Sequence, residues 1–266
     1  MEIKAADVAK LRAMTGAGMM DCKKALQEAE GDFARAQEII REKGKLIASK
    51  RADRTATEGI VTSKVVGNKA YMVCLACETD FVAKGDEFKA KAAELLETAI
   101  ANDCADLDAL QAVVGGLAAE LTGKTGEKVE IPFYARIEAP LCVTYIHTNN
   151  KLGTLVGFNT EVPTEVAKDV AMQAAAMNPV SIDKADCDPA VIEQEHRIGL
   201  EQARGEGKPE AMLEKIADGK VAKFLKENTL LNQPLVKDNK FSVGQYVENA
   251  VKGATVVAYK RFSLND

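Results

Sequence analysis

The chain has 266 residues, with 35 Lys+Arg against 40 Asp+Glu for a formal net charge of −5, and 47% of it is apolar. That apolar content excludes a mainly disordered chain, and no apolar run approaches the roughly 18 residues of a membrane-spanning helix. The mild negative charge, without a basic stripe, weighs against nucleic acid as a direct partner.

The densest basic run, Lys43, Lys45, Lys50, Arg51 and Arg54, is short and interrupted, and reads as a solvated helix end and linker. The segment 1–10 lacks the apolar stretch of a signal peptide, and Glu2 and Asp7 argue against a transit peptide, so a cytoplasmic location is expected. The six cysteines show no disulfide-like clustering. Cys74 and Cys77 form one C-x-x-C, but they lie in an apolar run that reads as a buried strand. Residues three apart on a strand face opposite ways, which predicts core cysteines and no metal.

Residues 1–45 read as a three-helix docking module. Val8, Leu11 and Met14 carry helical spacing, Gly16 and Gly18 break it, and Met19, Cys22, Leu26 and Ala29 resume it. Phe33, Ala36 and Ile40 mark a third helix after Gly31-Asp32. A charged linker, partly helical, is expected over 46–58. At Gly59 the period changes. Segments 59–66 and 70–77 flank Gly67-Asn68-Lys69, a hairpin signal, and a helix follows from about Asp86 with Phe88, Ala92, Leu95, Ala99 and Ile100 on one side.

The same order returns 81 residues further on, with Asn159 opposite Glu78. Segments 141–147 and 152–158 flank a turn, and a helix with Val166, Val170, Ala174 and Met177 on its buried face ends at Asn178-Pro179. The fold class expected is α+β: two related core halves, 59–140 and 141–187 with 229–266, each a small antiparallel sheet with a helix. Into the second half is inserted an antiparallel helical hairpin over 188–228, whose sparse apolar positions suit two arms standing out from the body. Near the end, Val243, Tyr246 and Val247 mark a short helix, and 256–259 a returning strand of the second sheet.

No catalytic constellation emerges. Gly123-Lys124-Thr125 resembles the end of a phosphate loop, but the required first glycine is Ala118. His196 reads as a solvated residue on a hairpin arm, and His147 as the end of a strand. No cofactor, metal or catalytic residue is expected. What stands out is Phe81, between a strand and a helix entry and beside Asp80. It could staple the helix or serve as an exposed anchor. In the second half its place is taken by Val162, followed by Pro163.

Two stretches carry a resemblance: Met14-Thr-Gly-Ala-Gly-Met-Met-Asp-Cys-Lys-Lys-Ala-Leu26 and Glu78-Thr-Asp-Phe-Val-Ala-Lys84. Read together they closely resemble the elongation factor Ts family, guanine-nucleotide exchange factors of bacterial translation, and the similarity covers almost the whole chain. The resemblance implies a non-enzymatic exchange factor whose partner is elongation factor Tu. It also implies that Thr79, Asp80, Phe81 and Val82 enter the partner's GTPase domain and dislodge its Mg²⁺. Met19, Met20 and Lys23 would grip the same domain, and His147 with the second half would reach a second surface. Many members continue into a further C-terminal helix, whereas this sequence reaches Asp266 shortly after Phe262. Two other readings stay open: a ribosome- or RNA-associated assembly factor without exchange activity, and an enzyme with an unrecognised site.

Overall fold

The first helix ends where glycine interrupts the apolar spacing. In the computed structural model, which describes residues 3–265, α1 (Ala5–Thr15) stops at Gly16, whose φ of 68° is a left-handed conformation that costs glycine little. The readings that involve Glu2 and Asp266 lie outside the described residues. α2 (Met19–Glu28) follows, then α3 (Phe33–Lys50), capped by Asp32, whose carboxylate accepts from the amides of Ala34 at 2.8 Å and Arg35 at 3.1 Å. The three helices enclose a small core of their own, built on Val8, Leu11, Cys22, Ala25, Leu26 and Ala36. Met14 and Met19, which share the apolar spacing, are instead exposed. They flank the Gly16–Gly18 break, where the chain turns and spacing no longer predicts a face.

α3 runs well past its last predicted apolar position. After β1 (Glu58–Val66), β2 (Lys69–Cys77), α4 (Asp80–Ala83), α5 (Asp86–Ala101) and α6 (Leu107–Val114) comes α7 (Leu117–Thr125), and α3 packs against it. The two helices cross at Gly44 and Gly123, where a Cβ on Gly123 would lie 2.8 Å from the Gly44 Cα. Only two glycines allow so close an approach. The contact carries the helical path through 46–50, which the sequence reading assigned to the linker.

β3 (Glu130–Glu138) completes a first sheet of order β1-β2-β3. The second contains β4 (Leu141–Ile146), β5 (Leu152–Phe158) and β6 (Val256–Ser263) in that order, all antiparallel, with Val143 opposite Val156 and Val156 opposite Tyr259. In each sheet the central strand is largely apolar, with Thr154 the one polar side chain in β5. All of 70–77 in β2 and 153–158 in β5 is buried, as expected for a strand covered on both faces. Pro132 sits in edge strand β3, where a missing amide is tolerated.

Two compact units divide the described residues: one contains Val73–Ala135 and the chain up to Thr62, the other Ser63–Met72 and Arg136–Ser263. In the second, α8 (Thr164–Met177) covers its sheet through Val166, Val170 and Ala174, and buried Thr154 donates to the Ala171 carbonyl at 2.9 Å. Met177, predicted on the buried face, is exposed at the last turn beside Asn178, which has a φ of 43°. α11 (Val243–Ala250), capped by Ser242, supplies Val243 and Val247 to the same core.

The inserted hairpin comprises α9 (Pro189–Gly205) and α10 (Leu213–Asn228). Its arms meet through small residues: a Cβ on Gly199 would lie 3.1 Å from the Ala217 Cα, and Ala203, Leu213 and Ala217 are fully buried. His196 is not the solvated residue expected. It is half-buried, and its Nε2 spans the arms to Glu214 and Asp218, 3.3 Å from each. Only helix spacing across the hairpin, invisible along one arm, brings these groups together.

All six cysteines are buried and none is in a disulfide. Burial foremost, with the negative charge of Glu127 adding to it, pushes the Cys77 thiol from 9.0 up to about 12, and burial raises Cys74 as well. The folded state therefore keeps its Cys77 proton where the unfolded chain has lost it. Stability from this source is complete below pH 9.0 and declines as pH rises towards 12. Denaturant unfolding at pH 8 to 11 should show this decline, and Cys77→Ala should flatten it; an unchanged slope would reject it.

The hairpin's two ends lie side by side, with Ser181 bridged to Thr229 and the Val180 amide donating to the Asn228 carbonyl at 2.8 Å. Excising 188–228 and joining its ends is expected to leave a cooperatively folding protein. In the intact chain, amide exchange should be faster in the hairpin than in either sheet. A broad, non-cooperative melt of the shortened chain would contradict the boundary.

Candidate functional site

Central strand β2 ends at Cys77, and within four residues the chain goes from full burial to open solvent. Glu78 is half-buried, Thr79 and Asp80 are exposed, and Phe81 has 86% of its surface free, the most of any large apolar side chain among the described residues. Phe81 is therefore no staple, because it packs on nothing that would shield it. It rides on α4, one turn long, capped by Thr79, whose Oγ1 accepts from the Val82 amide at 3.4 Å. Val82 is half-buried, and Ala83 closes the turn against the body. The Gly85 amide donates to the Val82 carbonyl at 3.0 Å before α5 begins.

Polar contacts at the base hold this turn. The Thr79 amide and hydroxyl donate to the two oxygens of Glu127, at 3.0 and 2.6 Å. One residue earlier, Glu78 Oε1 accepts from the Lys128 amide at 2.6 Å and from Arg51 Nη1 at 2.7 Å. The Lys128 amide, and after it Arg51, hold the Glu78 carboxyl below the usual carboxylate range. Lys128 Nζ reaches on to the carbonyls of Ala52 at 3.2 Å and Arg54 at 2.9 Å. The end of β2, the loop after α7 and the chain leaving α3 thus meet at two dipeptides, Glu78-Thr79 and Glu127-Lys128.

At the tip itself, Asp80 pairs with Lys84 at 2.6 Å, and this hydrogen bond raises the Lys84 ammonium above the ordinary lysine value. Both side chains are more than half exposed, so the pair is weak and can exchange for another partner.

On the three-helix module, Met19, Met20 and Lys23 all face solvent on α2, and Met14 at the end of α1 adds to the exposed thioether surface. Exposed methionines suit a surface that must adapt to a partner. In the other unit His147 is exposed at the end of β4; its Nδ1 lies 3.0 Å from the Tyr145 hydroxyl and its amide donates to the Leu152 carbonyl at 2.9 Å. The second core half has no counterpart of the tip. Val162 is buried, and Asn159 ties that segment down through Gly253 and Thr255 at 2.9 and 2.8 Å.

Among the described residues no group of three or more His, Cys, Asp or Glu could hold a metal ion. Gly123-Lys124-Thr125 forms the last turn of α7, where the helix dipole repels phosphate, and Lys124 is engaged by Glu120 at 3.3 Å. Glu127 and Lys128 escaped the sequence reading, and Arg51, read as part of a solvated basic run, is instead half-buried and paired with Glu78. They join Glu78 and Thr79 across separations of 27 to 50 residues, and no local spacing signals such partners. The one available signal was Gly126 after a helical segment, which marks a fixed turn.

A family profile described as "Elongation factor TS" matches residues 78–266. The chain is 50% identical to elongation factor Ts of Cytophaga hutchinsonii, across 99% of both chains. It is 48% identical to elongation factor Ts of Amoebophilus asiaticus, across 98% of both. The elongation factor Ts of Porphyromonas gingivalis is 45% identical, across 100% of this chain and 99% of its own. Among the described residues no helix is long and apolar enough to cross a membrane.

An exposed side chain with no packing role should be dispensable to the fold. Phe81→Ala is expected to change stability by about 0.5 kcal/mol or less, as at most surface sites. A core aromatic would cost about 3–5 kcal/mol. Thermal or denaturant melting distinguishes the two, and a loss in the second range would return Phe81 to the core.

Proposed function

The chain belongs to the elongation factor Ts family, a translation elongation factor family, and from that premise we propose that it releases GDP from elongation factor Tu in the cytoplasm. The observation that supports this most is the aromatic ring of Phe81, held 86% exposed on a capped turn at the end of a rigid strand. An apolar ring displayed to water costs free energy and gains it back only against a partner, where buried aromatics dominate binding.

In this reading the exchange factor performs no bond chemistry. Phe81 wedges into the partner's GTPase domain, carried by Thr79 and Val82 to either side of the ring. Asp80, once it exchanges Lys84 for the partner, disturbs the partner's magnesium and its water shell. Without Mg²⁺ the diphosphate loses charge compensation, and GDP dissociates. Met19 and Met20 supply apolar grip on the same domain and Lys23 a charge, while His147 and the second core half meet a second surface. The Thr79–Glu127 contact stays intact in this scheme, since it lies at the base and not at the tip.

Linkage makes the reading quantitative. If the protein favours the nucleotide-free partner, GDP must weaken its binding by the same factor by which it weakens GDP. Stimulated release of GDP should fall about 30- to 1,000-fold in Phe81→Ala, as when an aromatic anchor worth about 2–4 kcal/mol is lost. Asp80→Ala should impair release with little change in stability, and excess Mg²⁺ with GDP should dissociate the complex. Equal affinity for the empty and GDP-loaded partner would rule out exchange, because equal affinities shift no equilibrium.

A further inference from the structure

A single helical turn makes too few internal hydrogen bonds to keep its own shape. α4 has four residues, yet it must present Phe81 in one orientation if the ring is to enter a partner without a further ordering cost. Its shape therefore has to come from outside the turn. The ring has no packing, Val82 is only half-buried, and the Asp80–Lys84 pair is exposed. Ala83 seats the turn's last residue against the body, and at its first end both hydrogen-bond donors of Thr79 go to Glu127.

We propose that Glu127 is a positioning residue for the exchange tip: by taking the amide and the hydroxyl proton of Thr79 on separate carboxylate oxygens, it fixes the direction in which Phe81 points. This rests on the exchange reading of the tip. The geometry sets one further condition. The Thr79 hydroxyl has one proton, and it goes to Glu127 at 2.6 Å, which leaves its oxygen lone pairs free to accept the Val82 amide. The carboxylate thus orients the hydroxyl that caps the turn. Remove it and the hydroxyl rotor is free, so the cap and the strut loosen together.

Glu127 can act as a strut because its own backbone is tied at both amide and carbonyl to Thr125 Oγ1. Gly126 closes α7 at φ 72°, a conformation that favours glycine, and its amide donates to the Thr122 carbonyl at 2.9 Å. The Glu127 amide donates to Thr125 Oγ1 at 3.2 Å, and the Val129 amide to the buried Thr122 Oγ1 at 2.9 Å. Lys128, between them, is bound to Glu78 through its amide and to the chain after α3 through its ammonium. The tip is therefore held against α7, the helix on which the three-helix module also packs.

The test is release of a fluorescent GDP analogue from elongation factor Tu, titrated with the full-length protein and its variants. Glu127→Ala loses both hydrogen bonds to Thr79 and should lower the maximal release rate by about tenfold or more, tenfold being the scale of a single hydrogen bond to a charged group. The half-saturating concentration should move much less, because the module's grip is untouched. Glu127→Gln retains a carbonyl to accept the Thr79 amide and an NH₂ to engage the hydroxyl, so it should stay within about threefold of the parent, neutral hydrogen bonds being roughly half as strong. Where Glu127→Ala melts early, Glu127→Asp serves in its place: it keeps the charge but withdraws the carboxylate, and should also lower the maximal rate. The deciding arm is Glu127→Ala combined with Phe81→Ala. If Glu127 works through Phe81, the double variant releases GDP no more slowly than Phe81→Ala alone. Independent losses that multiply, a normal maximal rate in both Glu127→Ala and Glu127→Asp, or a change confined to the half-saturating concentration would each overturn the assignment. Full activity of Phe81→Ala would overturn the exchange reading along with it, whereas loss in Phe81→Ala with none in the Glu127 variants would overturn this inference alone.

Discussion

The tip depends on the exchange of hydrogen bonds between positions 78–79 and 127–128. Two consecutive residues at the end of β2 each give or take backbone and side-chain bonds with two consecutive residues after α7. Charged partners strengthen these bonds, since a carboxylate accepts at every one of them. The Glu78 carboxyl is held ionised by the Lys128 amide and Arg51, so the junction strengthens above the ordinary carboxylate pKa and weakens as acid protonates it. An exposed aromatic can be kept at full display because polar groups at Thr79, with buried Ala83 at the other end, fix the turn that carries it.

Glycine does comparable work between helices. At Gly44 and Gly123 two backbones approach so closely that no side chain fits between them, and in the hairpin Gly199 plays the same part against Ala217. Close backbone approach gives dispersion contact over many atoms without long side chains to order. The consequence differs in the two places. In the first, the crossing seats the three-helix module against α7, so one helix supports both the module and the tip loop. In the second, it lets two charged helices pair through a narrow seam, with His196 between Glu214 and Asp218 as the polar link.

The two core halves show how a duplicated plan can yield one exposed tip. Both have an almost wholly buried central strand and a helix after it, as their order along the chain predicts. They diverge within the first residues after the strand's end. In the first half Thr79 caps a turn that lifts Phe81 into solvent; in the second Asn159 binds back to Gly253 and Thr255, and Val162 is drawn into the core. The difference is a matter of which polar groups find partners, and both outcomes satisfy the backbone.

Several features were legible along the chain because they depend on neighbours a few residues away. Helix periods, the Gly67-Asn68 hairpin, the Asp32 cap, the buried C-x-x-C strand and the family-like stretches at Met14–Leu26 and Glu78–Lys84 all belong to this class. Local spacing could not decide between staple and anchor for Phe81, because that depends on whether distant atoms come to cover the ring. Nor were α6, α7 and β3 read from local spacing, or the length of α3, which continues because Gly123 lies across it. Glu127, Lys128 and Arg51 meet Glu78 and Thr79 only after the sheet and α7 have formed. Hydrogen bonds act over about 3 Å in space with no regard for separation along the chain, so the sequence determined which groups were available, and the tertiary structure alone decided which of them would meet.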